Sequence, residues 1–275
     1  MDGAPPDGQS DCVLFVHGWA ESRHTWDKVV GLLDSRIEIV ALDLPGHGDS
    51  GVVLPSRQEA LEFATISLKA VIQDLKARHR HLLVVGHSMG GLIALLAIAE
   101  LSNGARPDGL LLIAPMAPDL KEIPFAARAF AHVPKWLVKL GAGIGLAKPL
   151  LIKNLKRCVC DPTCLPESYI KHLVGSHASA RGMDVLSSYV ESARRLRGRA
   201  QALSGDITNA RLGKVRILWG DDDQLLPPAT AAFFQQAMPE SVVISVKAAG
   251  HILQMDQPGI VADHVLKLVD FWNRD

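Results

Sequence analysis

The chain has 275 residues, 48% hydrophobic and 21% charged, a balance that excludes a disordered protein and allows one large domain or two small ones. Lys+Arg and Asp+Glu both number 29, so the formal net charge is zero and no basic surplus points to nucleic acid. The longest apolar run (Gly91–Ala99) is too short for a bilayer span, the first residues lack the blocks of a signal peptide, and four cysteines are too few for a disulfide scaffold, so a soluble, cytoplasmic protein is expected.

In chain order, CVLFVHG (12–18) is an apolar run ending in glycine, and IEIVALDLPGHG (37–48) repeats the pattern before turning at Pro45-Gly46. Ser56 to Glu59 reads as a capping box, followed by a helix face of Leu61, Ala64, Leu68, Val71, Ile72 and Leu75. HLLVVGHSMGG (81–91) leads from an apolar run into a buried helix over Met89–Leu101, and GLLLIAP (109–115) follows. KVRILWGDDD (214–223) and SVVISVKAAGH (241–251) are the last two runs, each followed by a helix that opens on proline, Pro228–Ala237 and Pro258–Trp272. Apolar strands without alternation suit a parallel sheet covered on both faces. The fold class is therefore α/β, a mostly parallel doubly wound sheet of six strands.

The segment 117–211 breaks this order. It predicts helices near 123–131, 134–141, 147–156, 166–177 and 182–197, and no strand. We expect a core formed by 1–116 and 212–275 and a helical cap inserted over 117–211. Charge divides along the same line: Ala117–Gly213 carries 15 Lys/Arg against 7 Asp/Glu, and Ile123–Cys160 has no acid at all.

Gly86-His87-Ser88-Met89-Gly90 fits G-x-S-x-G, set between an apolar strand and an apolar helix. The chemistry needs the glycines, because the serine must stand on a turn too sharp for flanking side chains. A serine hydroxyl also needs a base to take its proton. Of eleven histidines, His251 directly follows the last strand and so shares the carboxyl edge of the sheet with Ser88. His17 and His47 sit among glycines that suggest backbone roles, His79 and His81 lie at the opposite end of the Ser88 strand, and His87 points away from the hydroxyl. An acid must hold the imidazole in the right tautomer. Asp221, Asp222 and Asp223 all end the penultimate strand, with Asp119 a weaker candidate, and spacing does not choose among them.

Five segments occur in order: Phe15–Trp19, Asp43–Ser50, Gly86–Gly91, Trp219–Pro227 and Gly250–Pro258. Together they resemble the serine-nucleophile esterase and lipase branch of the α/β-hydrolase fold superfamily, over about 12–116 and 213–273. The family's G-x-x-D, with proline four residues on, selects Asp223, with Asp222 as the fallback. The resemblance implies an oxyanion hole from the backbone N–H groups of Trp19 and Met89. It also implies hydrolysis of carboxylic esters through an acyl-serine, with no cofactor and no metal. The family often opens with an antiparallel strand pair; eleven residues precede Cys12, and we expect that pair to be missing. Serine at 88 speaks against haloalkane dehalogenases and epoxide hydrolases of this fold, which carry aspartate there. Ile252 in place of a tryptophan counts against carbon–carbon bond hydrolases. Thioesterase and perhydrolase chemistry share the triad, and a ligand receptor that has stopped turning over is the alternative outside enzymes.

The expected pocket lining is Met116, Trp136, Leu225, Leu226 and Ile252, suited to an apolar or aromatic acyl group. Trp136 could instead fill the core of the cap. The basic, apolar stretch Ala129–Arg157 reads foremost as an amphipathic cap helix packed on the frame; attraction of anionic substrates and contact with a membrane surface are the lesser readings. Cys158, Cys160, Cys164 and His172 lack the paired spacing of structural zinc.

Overall fold

In the computed structural model, residues 10–51, 54, 59–118, 135–196 and 214–272 are described. Six strands form one sheet: β1 (Cys12–Val16), β2 (Glu38–Leu42), β3 (Leu82–His87), β4 (Gly109–Ile113), β5 (Lys214–Gly220) and β6 (Val242–Val246). Every pairing is parallel and the order is β2-β1-β3-β4-β5-β6. The chain therefore starts in the middle, winds to one edge, and returns through β3 to the other.

Side chains of one strand point to alternate faces, and here both faces are dry. Cys12, Leu14 and Val16 enter one core cluster, while Val13 and Phe15 enter the other. The first cluster is closed by α1 (Ala60–Arg78) and α2 (Met89–Ala99), and the second by a C-terminal helix over Pro258–Trp272. Double coverage is why the strands read as unbroken apolar runs. Glu59 is the N-cap of α1 and makes no side-chain cap bond; Ser56, the other half of the expected box, lies outside the described residues.

Between β4 and β5 lie four described helices: α3 (Lys135–Gly143), α4 (Ala147–Arg157), α5 (Glu167–His177) and α6 (Ala180–Leu196). They form the inserted cap, and no strand occurs among its described residues. The helix expected near 123–131 falls outside the described residues. The cap has its own small core, in which Leu151, Leu155, Tyr169, Leu173 and Leu186 meet Ala20, Ile252 and Met255 of the frame. After β5 come a short turn at Pro228–Thr230, α7 (Ala231–Ala237), β6, a turn of helix at Leu253–Asp256 and α8 (Pro258–Trp272).

Candidate active site

A parallel sheet brings the carboxyl ends of all its strands to one edge, which is where ligands bind in such folds. Ser88 follows β3 directly and adopts φ 51°, ψ −119°, a conformation that a side-chain-bearing residue occupies only under constraint. Its N–H donates to the Ile113 carbonyl at 2.9 Å, and its own carbonyl accepts from Met116 N at 3.0 Å. The flanking glycines are obligatory for space. A Cβ at Gly86 would lie 2.8 Å from Gly91 Cα, and one at Gly90 would lie 2.3 Å from the His17 carbonyl oxygen. The turn thus wedges the start of α2 against the end of β1.

His251 arrives after β6 and Asp223 after β5. Ser88 Oγ lies 2.9 Å from His251 Nε2, and His251 Nδ1 lies 2.8 Å from Asp223 Oδ2. The other oxygen of Asp223 accepts the N–H groups of Leu225 and Leu226 at 2.8 and 2.9 Å. With Asp223 ionised, His251 must donate from Nδ1, so Nε2 is left to accept the serine proton. All three residues are buried. Burial pushes the Asp223 carboxyl up, but the charge and hydrogen bond of His251 and the two N–H donors outweigh it and hold it below the usual carboxylate value. Burial likewise disfavours the imidazolium of His251. Asp223, helped by Glu21, outweighs that and raises His251 above its ordinary value of 6.5. The arrangement can therefore deprotonate a serine hydroxyl and stabilise the imidazolium that results.

Of the other acids, Asp221 takes the Ser245 hydroxyl and Asp222 faces the Cys160 thiol, both exposed; Asp119 lies outside the described residues. Two other histidines have structural tasks. His17 donates from Nδ1 to the Gly18 carbonyl at 2.8 Å and accepts Leu44 N at Nε2 at 3.0 Å, tying two loops together. His87 does point away from the serine. Its Nδ1 meets Glu21 Oε2 at 2.9 Å and its Nε2 meets the His251 carbonyl at 2.9 Å. The Glu21 carboxylate and the His251 carbonyl thus hold the ring from both of its nitrogens and fix its orientation. Glu21 also accepts Gly18 N at 2.9 Å. Burial raises Glu21, but His87 and that N–H outweigh it and keep the acid ionised. This pair braces the loop of His251 from behind. Sequence reasoning missed Glu21, whose one weak signal is an acid three residues after the glycine whose N–H it accepts.

A cleft of about 460 Å³, solvent at its mouth included, lies over Ser88. Trp19, Leu225 and Ile252 line it, as does α4 through Leu151, Asn154, Leu155 and the adjoining Cys158. Met116, Leu226 and Trp136 are not among its lining residues. Met116 N binds Ser88 O, Leu226 N binds Asp223, and Trp136 is 65% exposed on α3, in neither the cleft nor the core of the cap. Burial pushes the Cys158 thiol up to about 12, so it does not compete with Ser88 as a nucleophile. The Trp19 indole donates to the Leu186 carbonyl of α6 at 3.0 Å. Gly18 packs so closely that a Cβ there would lie 3.2 Å from Ser88 Cβ, which sets the backbone leading into Trp19 beside the nucleophile. Met89 opens α2, and an N–H in the first turn of a helix has no acceptor within it.

The cap is fastened to the loop of His251. Ile252 N donates to the Cys158 carbonyl at 2.8 Å, Cys160 N donates to Asp256 Oδ2 at 2.9 Å, and Lys28 Nζ donates to the Cys164 carbonyl at 2.5 Å. All four cysteines are free thiols. Cys158, Cys160, Cys164 and His172 do not form a metal-holding group among the described residues. His24, Asp49 and His172 bring one donor atom each within 4.8 Å of one another, with Asp49 already paired to Arg23 and His24 to Asp27. Among the described residues no helix is long and apolar enough to cross a membrane.

Residues 13–264 match the model of the alpha/beta hydrolase family. The uncharacterized hydrolase YugF of Bacillus subtilis (strain 168) is 25% identical over 271 residues, covering 94% of this chain and 89% of that protein. The pimeloyl-[acyl-carrier protein] methyl ester esterase of Klebsiella pneumoniae (strain 342) is also 25% identical, covering 95% of each. Among solved structures, the haloalkane dehalogenase DbeA of Bradyrhizobium elkani USDA94 superimposes with a TM-score of 0.79 at 19% identity, covering 98% of this chain and 94% of that one. At that identity it speaks for the fold alone.

Proposed function

The chain belongs to the alpha/beta hydrolase family, and from that premise we propose that it hydrolyses small carboxylic esters through an acyl-Ser88 intermediate. The observation that carries this reading is the continuous alignment Ser88–His251–Asp223 at hydrogen-bond distances. His251 takes the proton of Ser88 as Oγ adds to the ester carbonyl carbon. The carbonyl oxygen becomes an oxyanion between the backbone N–H groups of Trp19 and Met89, each donor being worth about 100- to 1,000-fold in rate. His251 then gives its proton to the leaving alkoxide, the carbon–oxygen bond breaks, and an acyl-Ser88 remains. Water deprotonated by His251 adds to that ester; the proton returns to Ser88 Oγ as the acid departs.

An apolar acyl group suits the cleft, whose walls are Leu151, Leu155, Leu225 and Ile252. Asn154 offers an amide at that wall. The segment 117–211 acts as the cap that shapes this space. The methyl ester named for the Klebsiella relative agrees in the type of bond. The test is hydrolysis of p-nitrophenyl acetate, butyrate and octanoate, with an acyl thioester alongside, by the protein and by Ser88→Ala. Turnover should favour oxygen esters and fall by about 10⁴-fold or more in the variant. Equal turnover in Ser88→Ala would remove the nucleophile assignment, and activity on the thioester alone would change the substrate class.

A further inference from the structure

An amphipathic cap helix packed on the frame should turn its apolar side inward. α3 does this with Val138 and Ala142, which pack on the core of the cap. Its other side is apolar too. Trp136, Leu137, Leu140 and Ile144 lie at spacings of one, three and four, on one helical stripe, and are 65, 41, 52 and 65% exposed. Leu146 and Leu150 continue the patch at 53 and 64%. Of the eleven exposed large apolar side chains among the described residues, these six fall within 136–150. The connection between α3 and α4 is a fixed one. Gly145 has φ 82°, Leu146 N donates to the Gly141 carbonyl and Gly145 N to the Ala142 carbonyl, the paired bonds of a Schellman turn.

We propose that this outer face of the cap docks on an anionic lipid surface. Concentrated exposed apolar area marks an interaction site. Charge identifies the occupant. No acid occurs from Ile123 to Cys160. Lys153 and Arg157 follow Leu150 at spacings of three and seven, on one stripe of α4, and both are exposed, as are Lys148 and Lys156 elsewhere on the helix. The surface that matches must be apolar within and negative at its rim, which is the layout of an anionic bilayer interface. A second copy of the chain matches poorly, because a two-fold pairing would set these cations against their own equivalents. Trp136, an amphipathic ring at the edge of the patch, suits the headgroup level. The same α4 that presents Leu150 and Lys153 outward lines the cleft at Ser88 with Leu151 and Leu155. Docking therefore acts one helix thickness from the nucleophile, so that esters dissolved in the lipid are delivered at the mouth of the cleft.

The test is co-sedimentation of the whole protein with vesicles of phosphatidylglycerol and phosphatidylcholine, and of phosphatidylcholine alone, with light scattering in the absence of lipid. Hydrolysis of soluble p-nitrophenyl acetate is read in parallel, so a failure of the docking idea is separable from a failure of the esterase reading. Binding should require the anionic lipid and weaken with salt. Lys153→Glu/Arg157→Glu should reduce it by about 30-fold or more, at roughly fivefold per cation lost. Ile144→Ser/Leu150→Ser should reduce it at least tenfold, with turnover of the soluble ester unchanged. No sedimentation with anionic vesicles, or equal binding by both variants, overturns the proposal. A dimer of the parent that becomes monomeric in Ile144→Ser/Leu150→Ser also overturns it, by giving the face to a second copy.

Discussion

Replacing Asp223 with asparagine changes one atom in size and reverses the logic of the triad. Asp223 Oδ1 accepts two backbone N–H groups, from Leu225 at 2.8 Å and Leu226 at 2.9 Å. An amide nitrogen cannot sit there, because donor would face donor. In Asp223→Asn the side-chain carbonyl oxygen must take that position, which turns the NH2 toward His251 Nδ1, 2.8 Å from the Oδ2 it replaces. The imidazole must then accept at Nδ1 and carry its proton on Nε2. That nitrogen faces Ser88 Oγ at 2.9 Å and can no longer take the serine proton. The stabilisation of the imidazolium by the carboxylate disappears as well. A wrong-tautomer triad loses about 10⁴-fold in kcat, or roughly 5.5 kcal/mol of barrier. The cleft walls are untouched, so KM should hold. The assay is p-nitrophenyl butyrate turnover at pH 8, with circular dichroism to verify the fold. Retention of more than a tenth of the parental kcat would refute the claim that Asp223 sets the tautomer.

Other outcomes follow from the same geometry. The acid limb of kcat/KM should have its inflection above 6.5, because His251 must be neutral to act and its proton is held more tightly than usual; a limb below 6 would contradict the pairing with Asp223. The linked stability has the opposite sense for the two partners. The contribution of His251 is full below about 6.5 and is lost as pH rises through its folded value, while that of Asp223 is present above 3.8 and is lost as pH falls through its lowered value. Gly90→Ala would press a methyl 2.3 Å from the His17 carbonyl oxygen, a backbone contact that cannot yield cheaply. A destabilisation of about 1–3 kcal/mol should lower Tm by roughly 3–10 °C and displace the end of β1 that leads into Trp19, so that turnover falls too. Parental Tm and activity in that variant would show that the elbow is looser than described.

The sheet was legible because each strand is buried on both sides and so announces itself as an apolar run. Ser88 and His251 were legible because both end such runs at the same edge. The choice among Asp221, Asp222 and Asp223 was not a matter of spacing and came from the family pattern. The structure supplies its physical reason: of the three, only Asp223 is buried, and two N–H groups hold its second oxygen. Glu21 was hidden because a lone acid in a loop carries no periodic signal; its partner His87 lies 66 residues away. The orientation of Trp136 was hidden for a different reason. KWLVKL is apolar on two sides of the helix, so the pattern cannot say which side packs, and the inner one proves to be Val138 and Ala142. Asn154 at the cleft is likewise a product of how α4 rotates, which no local signal fixes.

The fastening of Cys158, Cys160 and Cys164 to Ile252, Asp256 and Lys28 bears on how this protein could be recombined with its relatives. A graft that exchanged the whole insert at its sequence limits would also exchange the carbonyl that accepts Ile252 N, one residue from the catalytic histidine. The loop would lose its anchor even if the foreign insert folded. The serviceable joints lie inside the insert: residues 158–164 travel with the hydrolase frame, and the helices up to Arg157 are the interchangeable part. Variation among natural inserts should follow the same division, free on the early helices and narrow at the strap, because selection on specificity and selection on the base meet at that one stretch of chain.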